Sequence, residues 1–499
     1  MRTRSAEWLS RVVEGLLLAD ADPATPVGPD VVIDARQATP GSVFVALPGE
    51  RVDGHDYTSQ AADNGAAAVL VTRATNSGTT EIRVDDGVAA LSALGRAVVA
   101  DAHTGGLQVL AITGSSGKTS TKDILAQLLE AEAETVAPVG SFNNEIGVPL
   151  TATRVGPGTR YLVSEMGARG PGHIAWLCSL VEPDLSLVLN VGSAHLGEFG
   201  SVEAIARAKG EIVDTLPATG WAVLNRDDAH VAAMAQRTSA HLAWFTLDRE
   251  LPRDGALLVR ALDATADDLG RYRFTLVVET DAGTEQHPVA LALIGRHQVA
   301  NAAAAAAAAI AVGVAPAKVA ATLNSLEHRS RWRMELRVRP DGAAVINDAY
   351  NANPDSMRAA LAALSEIGAA RRRSHPGARV LAVVGDMLEL GDEAVTRHQQ
   401  VGARAAEAGV DELLAIGEQA EHVVAAATAA GIIARSCTVE EASSLDLAPE
   451  DVVLVKASRG LALERVAAAL LEAGADQAED NPLNDRRSPA TRDTAEEDR

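Results

Sequence analysis

The 499 residues are 47% hydrophobic and 22% charged, the balance of a folded soluble protein, and at roughly 100–200 residues per domain this length excludes a single core. Lysine and arginine total 44 against 67 aspartates and glutamates, a net charge of −23, which repels polyanions and anionic membranes and argues for small-molecule partners, not nucleic acid. The two cysteines, Cys178 and Cys437, exclude a disulfide framework and give no metal-ligand spacing, as fits a reducing cytoplasm.

In chain order, Trp8, Leu9, Val12, Val13 and Leu16, interrupted by Glu7, Arg11 and Glu14, predict an amphipathic helix and not a signal peptide. The apolar runs Ser42–Leu47 and Ala67–Val71, separated by Gly and Asp turns, predict a small α/β domain over 1–107. A larger domain is expected over 108–335. Its strands are read at Val109–Ile112, Tyr161–Val163, Leu185–Leu189 and Trp221–Leu224, with helical stretches between them. That alternation predicts a mainly parallel sheet, whose ligands lie outside the carboxyl ends of its strands. The uncharged stretch Val299–Ala317, largely alanine, reads as a buried helix and not as a membrane span. A third α/β domain is expected over 336–475, from strands at Ala344–Ile346, Val380–Val384, Leu413–Ile416 and Val452–Val455. Residues 476–499, polar and acidic, are expected to form a disordered tail.

Lysine is scarce. Only Lys118, Lys122, Lys209, Lys318 and Lys456 occur, so positive charge comes almost wholly from arginine, and a retained lysine points to a use for its compact charge or its titratable amine. Lys118 falls in the strongest motif, an apolar strand followed by Gly114-Ser115-Ser116-Gly117-Lys118-Thr119-Ser120 and a helix. Glycines let backbone N–H groups approach phosphate oxygens, the helix N-terminus adds partial positive charge, Lys118 reaches the outer phosphates and Thr119 can ligate magnesium. The usual pattern has another glycine five residues before Gly117, where Ile112 stands. Polar residues at strand ends, Glu165 and Asn190 with His195, suit a nucleotide's magnesium, although each taken alone also reads as a satisfied surface group. Lys209, in a helical pattern, reads by itself as a solvated helix lysine.

The phosphate loop, Ser141–Pro149, Asn190–His195 and Ala208–Ile212 together resemble the ATP-dependent Mur ligases of peptidoglycan synthesis. Asp348–Met357, Gly385–Gly391 and Val455–Gly460 are similar to the type, MurF, that joins D-alanyl-D-alanine to UDP-N-acetylmuramoyl-tripeptide through an acyl phosphate. The resemblance spans residues 30–470 in order. It implies three α/β domains: an N-terminal UDP-sugar-binding domain, a central P-loop ATPase-like domain and a C-terminal Rossmann-like domain. It implies a cytoplasmic, monomeric enzyme using ATP and Mg2+, in which Lys118, Glu165, His195 and Lys209 act in catalysis. Thr119, Glu165, His195 and a carbamylated Lys209 are then the metal ligands. Asn301, Arg333 and Asp348 are implied at the nucleotide, and Asn144, Asn351, Asn353, Lys456, Ser458 and Arg459 at substrate. Asp34, Arg36, Asp53 and His55 resemble the UDP-sugar contacts, although Ala35 stands where the family has Ser or Thr.

Three rival readings are weighed against this one. The MurE type, which adds the third amino acid, has an Asp-Asn-Pro-Arg signature. Here Asp480-Asn481-Pro482-Leu483 lacks the arginine and lies in the tail. A nucleotide-dependent switch needs no third domain carrying Asp348 and Lys456–Arg459. A folate polyglutamate ligase shares the central motifs without a UDP-sugar domain.

Overall fold

The computed structural model describes residues 1–18, 21–49, 52–192, 199–250 and 252–479, with side chains through 473. The chain forms two compact units, one built from Met1–Arg331 with residues 354–359 and 389–392, the other from the remainder beginning at Trp332.

The first unit holds two large sheets. In the smaller, Val31–Val32, Val43–Val45, Ala68–Val71 and Thr80–Arg83 run parallel, and Leu16–Leu17 joins antiparallel at the edge. The larger has nine strands. Thr135–Val136, Tyr161–Glu165, Gln108–Thr113, Leu185–Val188, Trp221–Asn225, His241–Thr246 and Leu257–Ala266 lie side by side and parallel. Val109 to Ile112 are fully buried, as a parallel strand covered on both faces requires. The connection from Gln108–Thr113 leads to Thr135–Val136 on one side of it, and the one from Tyr161–Glu165 crosses to Leu185–Val188 on the other, so its carboxyl end is the switch point where an open α/β sheet leaves a crevice.

The first two domains are not separate cores. Helix Gly87–His103, capped by Asp86, packs against helices Gly147–Ala152 and His173–Val181 of the larger sheet. Leu91, Leu94, Val98, Val148 and Leu177 belong to one cluster. Gly95 permits the approach, since a Cβ there would lie 3.0 Å from Pro149. A boundary at 107/108 therefore separates the sheets and not the hydrophobic interior. The mainly parallel expectation also missed Arg271–Thr280 and Gly283–Ile294, which extend the sheet antiparallel. The alternation Arg271-Tyr272-Arg273-Phe274, with Tyr272 and Phe274 buried, is the period-2 signal that reveals them.

The alanine-rich stretch is a buried helix, His297–Ala311, with Ala302 to Ala309 fully buried. Gly313, at φ 99°, ends it, and Pro316 opens the next helix, Pro316–Leu323. No helix among the described residues is long and apolar enough to cross a membrane.

The second unit is a six-stranded sheet in the order Glu335–Val338, Ala344–Asp348, Val452–Lys456, Val380–Gly385, Glu412–Ile416, Ile433–Ser436, parallel except for the first strand. The third domain was expected from residue 336, but this unit begins at Trp332. The Met334 N–H donates to Asp348 Oδ1 at 3.0 Å and the Tyr350 N–H to the Trp332 carbonyl at 3.0 Å, which tie the segment to this sheet. The last helix, Glu464–Glu479, is anchored by buried Val466, Ala467 and Leu470 and runs past the expected end at 475. The rest of the expected tail, including Asp480 to Leu483, lies outside the described residues.

Candidate active site

The phosphate loop joins strand Gln108–Thr113 to helix Lys118–Glu130 at the switch point. Gly117 stands at the helix N-cap with φ 81°, a conformation that disfavours any side chain, and a Cβ there would lie 2.7 Å from Asn301 Oδ1. Asn190 clamps the loop from the neighbouring strand end: its Oδ1 accepts from the Ser116 N–H at 3.0 Å, and its Nδ2 donates to the Ser116 carbonyl at 3.2 Å. Ser115 Oγ accepts from the Gly192 N–H at 2.8 Å. The Lys118 ammonium donates to the Gly114 carbonyl at 2.7 Å, keeping its charge within the loop. Thr119 Oγ1, nearly buried, lies 2.9 Å from Ser141 Oγ. Ser120 follows in the first turn, half-buried.

Glu165 ends the adjacent strand Tyr161–Glu165 and is 1% exposed. Its Oε1 accepts from Asn143 Nδ2 at 2.8 Å, and its Oε2 is buried with no hydrogen-bond partner among the described residues. A buried carboxylate oxygen left in that state is costly unless something comes to it. Lys209, on helix Val202–Asp214, is 3% exposed, so the solvated reading fails. Burial first, and the charge of Lys118 second, hold its amine well below the usual lysine range. His195 lies outside the described residues. Among the described residues no three His, Cys, Asp or Glu side chains cluster to hold a metal.

Other predicted residues are occupied within the protein. Asn144 Oδ1 accepts from the Gly147 N–H at 2.9 Å, at the start of helix Gly147–Ala152. Asn301 is buried beside the phosphate loop, with Nδ2 donating to Gln298 Oε1 at 2.9 Å. In the smaller sheet's domain, Asp34 and Arg36 form an exposed bidentate pair, at 2.9 and 2.8 Å. His55 is buried between Asp53 Oδ1, 2.6 Å from its Nδ1, and the Thr72 N–H, which donates to its Nε2 at 2.9 Å. The His55 backbone N–H, then its ring, hold the Asp53 carboxyl well below the usual carboxylate range.

In the second unit, Lys456 is 1% exposed and its ammonium donates to Asp348 Oδ2 at 2.6 Å and to the Asn351 carbonyl at 2.8 Å. Asp348 also accepts from the Met334 N–H, so this lysine and carboxylate satisfy one another. Ser458 Oγ accepts from the Leu388 N–H at 3.0 Å. The Arg459 guanidinium lies over Trp332 at 4.4 Å, and that of Arg333 over Tyr350 at 4.0 Å. Asn353 stands beside Pro354 at the start of helix Pro354–Ser374.

Sequence reasoning missed two positioning residues. Asn143 orients Glu165. Glu211, in the same motif as Lys209, accepts from the Gly172 and Ala175 N–H groups at 2.6 and 3.1 Å and so caps helix His173–Val181. Capping between distant segments leaves no local spacing to read.

Family models match all three parts of the chain: the Mur ligase family catalytic domain over residues 30–106, the Mur ligase middle domain over 112–309, and the Mur ligase glutamate ligase domain over 332–459. The chain is 42% identical over 480 residues to the UDP-N-acetylmuramoyl-tripeptide--D-alanyl-D-alanine ligase of Mycobacterium tuberculosis, covering 88% of this chain and 92% of that one. A crystal structure of MurF from Acinetobacter baumannii superposes with TM-score 0.80 at 30% identity, covering 95% and 99% of the two chains. MurF from Thermotoga maritima in complex with ADP superposes with TM-score 0.72 at 28% identity, covering 90% and 98%. With its sheets, its phosphate loop and these relatives in agreement, the chain belongs to the Mur ligase family.

Proposed function

We propose that this chain is a cytoplasmic ATP-dependent amide ligase that joins D-alanyl-D-alanine to UDP-N-acetylmuramoyl-tripeptide in peptidoglycan precursor synthesis. The observation that carries the chemistry is the trio at one end of the larger sheet: a phosphate loop, a buried Glu165 oxygen with no hydrogen-bond partner among the described residues, and a buried Lys209 whose amine is held well below the usual lysine range. The relatives' names supply the substrates.

A carboxylate is a poor electrophile. In this reading one oxygen of the tripeptide's terminal carboxylate attacks the γ-phosphorus of ATP and expels ADP, giving an acyl phosphate. The amine of the dipeptide then attacks the acyl carbon, loses a proton and expels phosphate, which keeps the attacking oxygen. The phosphate-loop N–H groups and Lys118 offset the charge where two anions meet, in fixed positions that need no reorganisation during the reaction. Glu165 and Thr119, with Lys209 as its carbamate and His195, are the residues that would hold magnesium. The unpartnered Glu165 oxygen fits a hard cation, and magnesium when bound supplies charge neutralisation at the phosphates. A protonated lysine repels a cation. A neutral amine that adds carbon dioxide and releases a proton to solvent becomes an anionic oxygen donor, and arginine cannot follow it there.

The test is incubation with ATP, magnesium, UDP-muramoyl-tripeptide and D-alanyl-D-alanine, followed by mass analysis. The expected product is the tripeptide extended by the dipeptide with one water lost. Product from a free single amino acid and none from the dipeptide overturns the reading in favour of the MurE type. Phosphate release without any amide product favours a switch.

A further inference from the structure

We propose that Arg169, held by Glu145, is a specificity-determining residue that takes the anionic end of the third residue's side chain, so that the tripeptide ends in diaminopimelate and not in lysine. This rests on the ligase reading above. In that reading the reacting carboxylate belongs to the third residue, so that residue's side chain begins one bond from the carbon next to the reaction and must lie near Glu165.

Arg169 is placed there by the chain. It follows Glu165 by four residues, a reach of at most about 14 Å at about 3.5 Å per residue, and its loop is strapped at both ends. The Gly167 N–H donates to the Asn143 carbonyl at 2.8 Å, while the Asn143 side chain holds Glu165 at 2.8 Å. At the other end the Gly172 N–H donates to Glu211 at 2.6 Å, two residues from Lys209. The loop therefore runs from the Asn143–Glu165 contact to helix Val202–Asp214.

The Arg169 side chain is 64% exposed, with Nη1 donating to Glu145 Oε1 at 2.9 Å. The other Glu145 oxygen is buried without a hydrogen-bond partner among the described residues, 3.7 Å from His173 Nε2. An exposed ion pair contributes little to stability, and burying a carboxylate oxygen opposes it. What the arrangement does achieve is to fix one edge of a planar guanidinium and leave its remaining N–H donors for another oxyanion, a geometry that matches a carboxylate bidentately. The Arg169 backbone N–H donates to His173 Nδ1 at 3.2 Å, which fixes the loop at the arginine itself. The distal carboxylate of diaminopimelate can accept from the remaining guanidinium donors, whereas a lysine side chain carries the same distal ammonium without the carboxylate and offers them no acceptor. The choice therefore rests on the carboxylate alone.

The experiment measures kcat/KM for three UDP-muramoyl-tripeptides, ending in meso-diaminopimelate, in diaminopimelate with its distal carboxylate amidated, and in lysine. Each is assayed with the wild-type protein, Arg169→Gln and Arg169→Lys. The wild type is expected to favour the free diaminopimelate form by about tenfold or more, the size of one charge-assisted contact. Most of that preference should lie in KM. Arg169→Gln should bring the three substrates within about threefold, and Arg169→Lys should restore part of the difference. The wild-type comparison of acid with amide decides even if a variant folds poorly. Equal use of all three tripeptides by the wild type, or an equal loss on all three in Arg169→Gln, overturns the assignment while leaving the ligase reading intact. Failure to ligate any of them overturns both.

Discussion

Lys456 and Lys209 are each buried at or near the carboxyl ends of parallel strands, one in each unit, and their surroundings are opposite. Lys456 is 1% exposed and meets a carboxylate at 2.6 Å and a carbonyl at 2.8 Å. Lys209 is 3% exposed, and the charge that acts on it is another cation, Lys118. The first is a closed structural pair, whose ammonium has its partners before any substrate arrives. The second meets no such counter-charge, and Glu165, at the end of strand Tyr161–Glu165, has a buried oxygen with no hydrogen-bond partner among the described residues. Burial alone therefore does not distinguish the two lysines; burial without a counter-charge is what sets Lys209 apart.

The sharpest break of this contrast is at the phosphate loop. Lys118→Ala is expected to lower kcat for ligation by about a hundredfold or more while the thermal unfolding midpoint holds, because it removes charge placed where the transition state needs it. Near-normal turnover removes Lys118 from the chemistry.

On the structural side, Lys456→Met leaves Asp348 buried and unpaired and should cost about 3–5 kcal/mol in urea unfolding of the second unit, whereas Lys456→Met combined with Asp348→Leu should recover most of it. Equal losses in the single and double variants show that the pair is not what matters.

Lys209 gives a pH signature of the other sign. Its folded-state pKa is lowered, so the unfolded chain binds more protons, and stability rises with pH from the folded value up to the unfolded one near about 10.4. In Lys209→Met that contribution to the slope should vanish, and below the unfolded value the variant should be the more stable protein. A parallel pH dependence in both proteins means the amine is solvated. A smaller effect is expected at Glu211. Replacing it with alanine uncaps helix His173–Val181 and should lower stability by about 0.5–2 kcal/mol, read as a shift in thermal midpoint.

The sequence shows these regions unequally. The phosphate loop is legible because its chemistry is local: a strand, two glycines, a lysine and a helix occupy consecutive positions. The parallel strands are legible as continuous apolar runs, since both faces are covered. The antiparallel strands Arg271–Thr280 and Gly283–Ile294 were passed over because one face stays polar and dilutes the apolar signal. Asn143, Asn190 and Glu211 act across gaps of 22, 74 and 39 residues, where no spacing rule applies. Lys456 and Asp348 were assigned to ligands from a motif. Their mutual pairing needs the register that sets strand Ala344–Asp348 beside Val452–Lys456.

The central claim is that the end of the larger sheet activates a carboxylate by phosphorylating it. The direct measurement is to run the ligation with UDP-muramoyl-tripeptide carrying oxygen-18 in the terminal carboxylate of its third residue and to weigh the phosphate released. An acyl phosphate carries one substrate oxygen into the departing phosphate, so the account predicts one labelled oxygen per phosphate, formed in step with the amide product. Unlabelled phosphate released alongside amide product contradicts it.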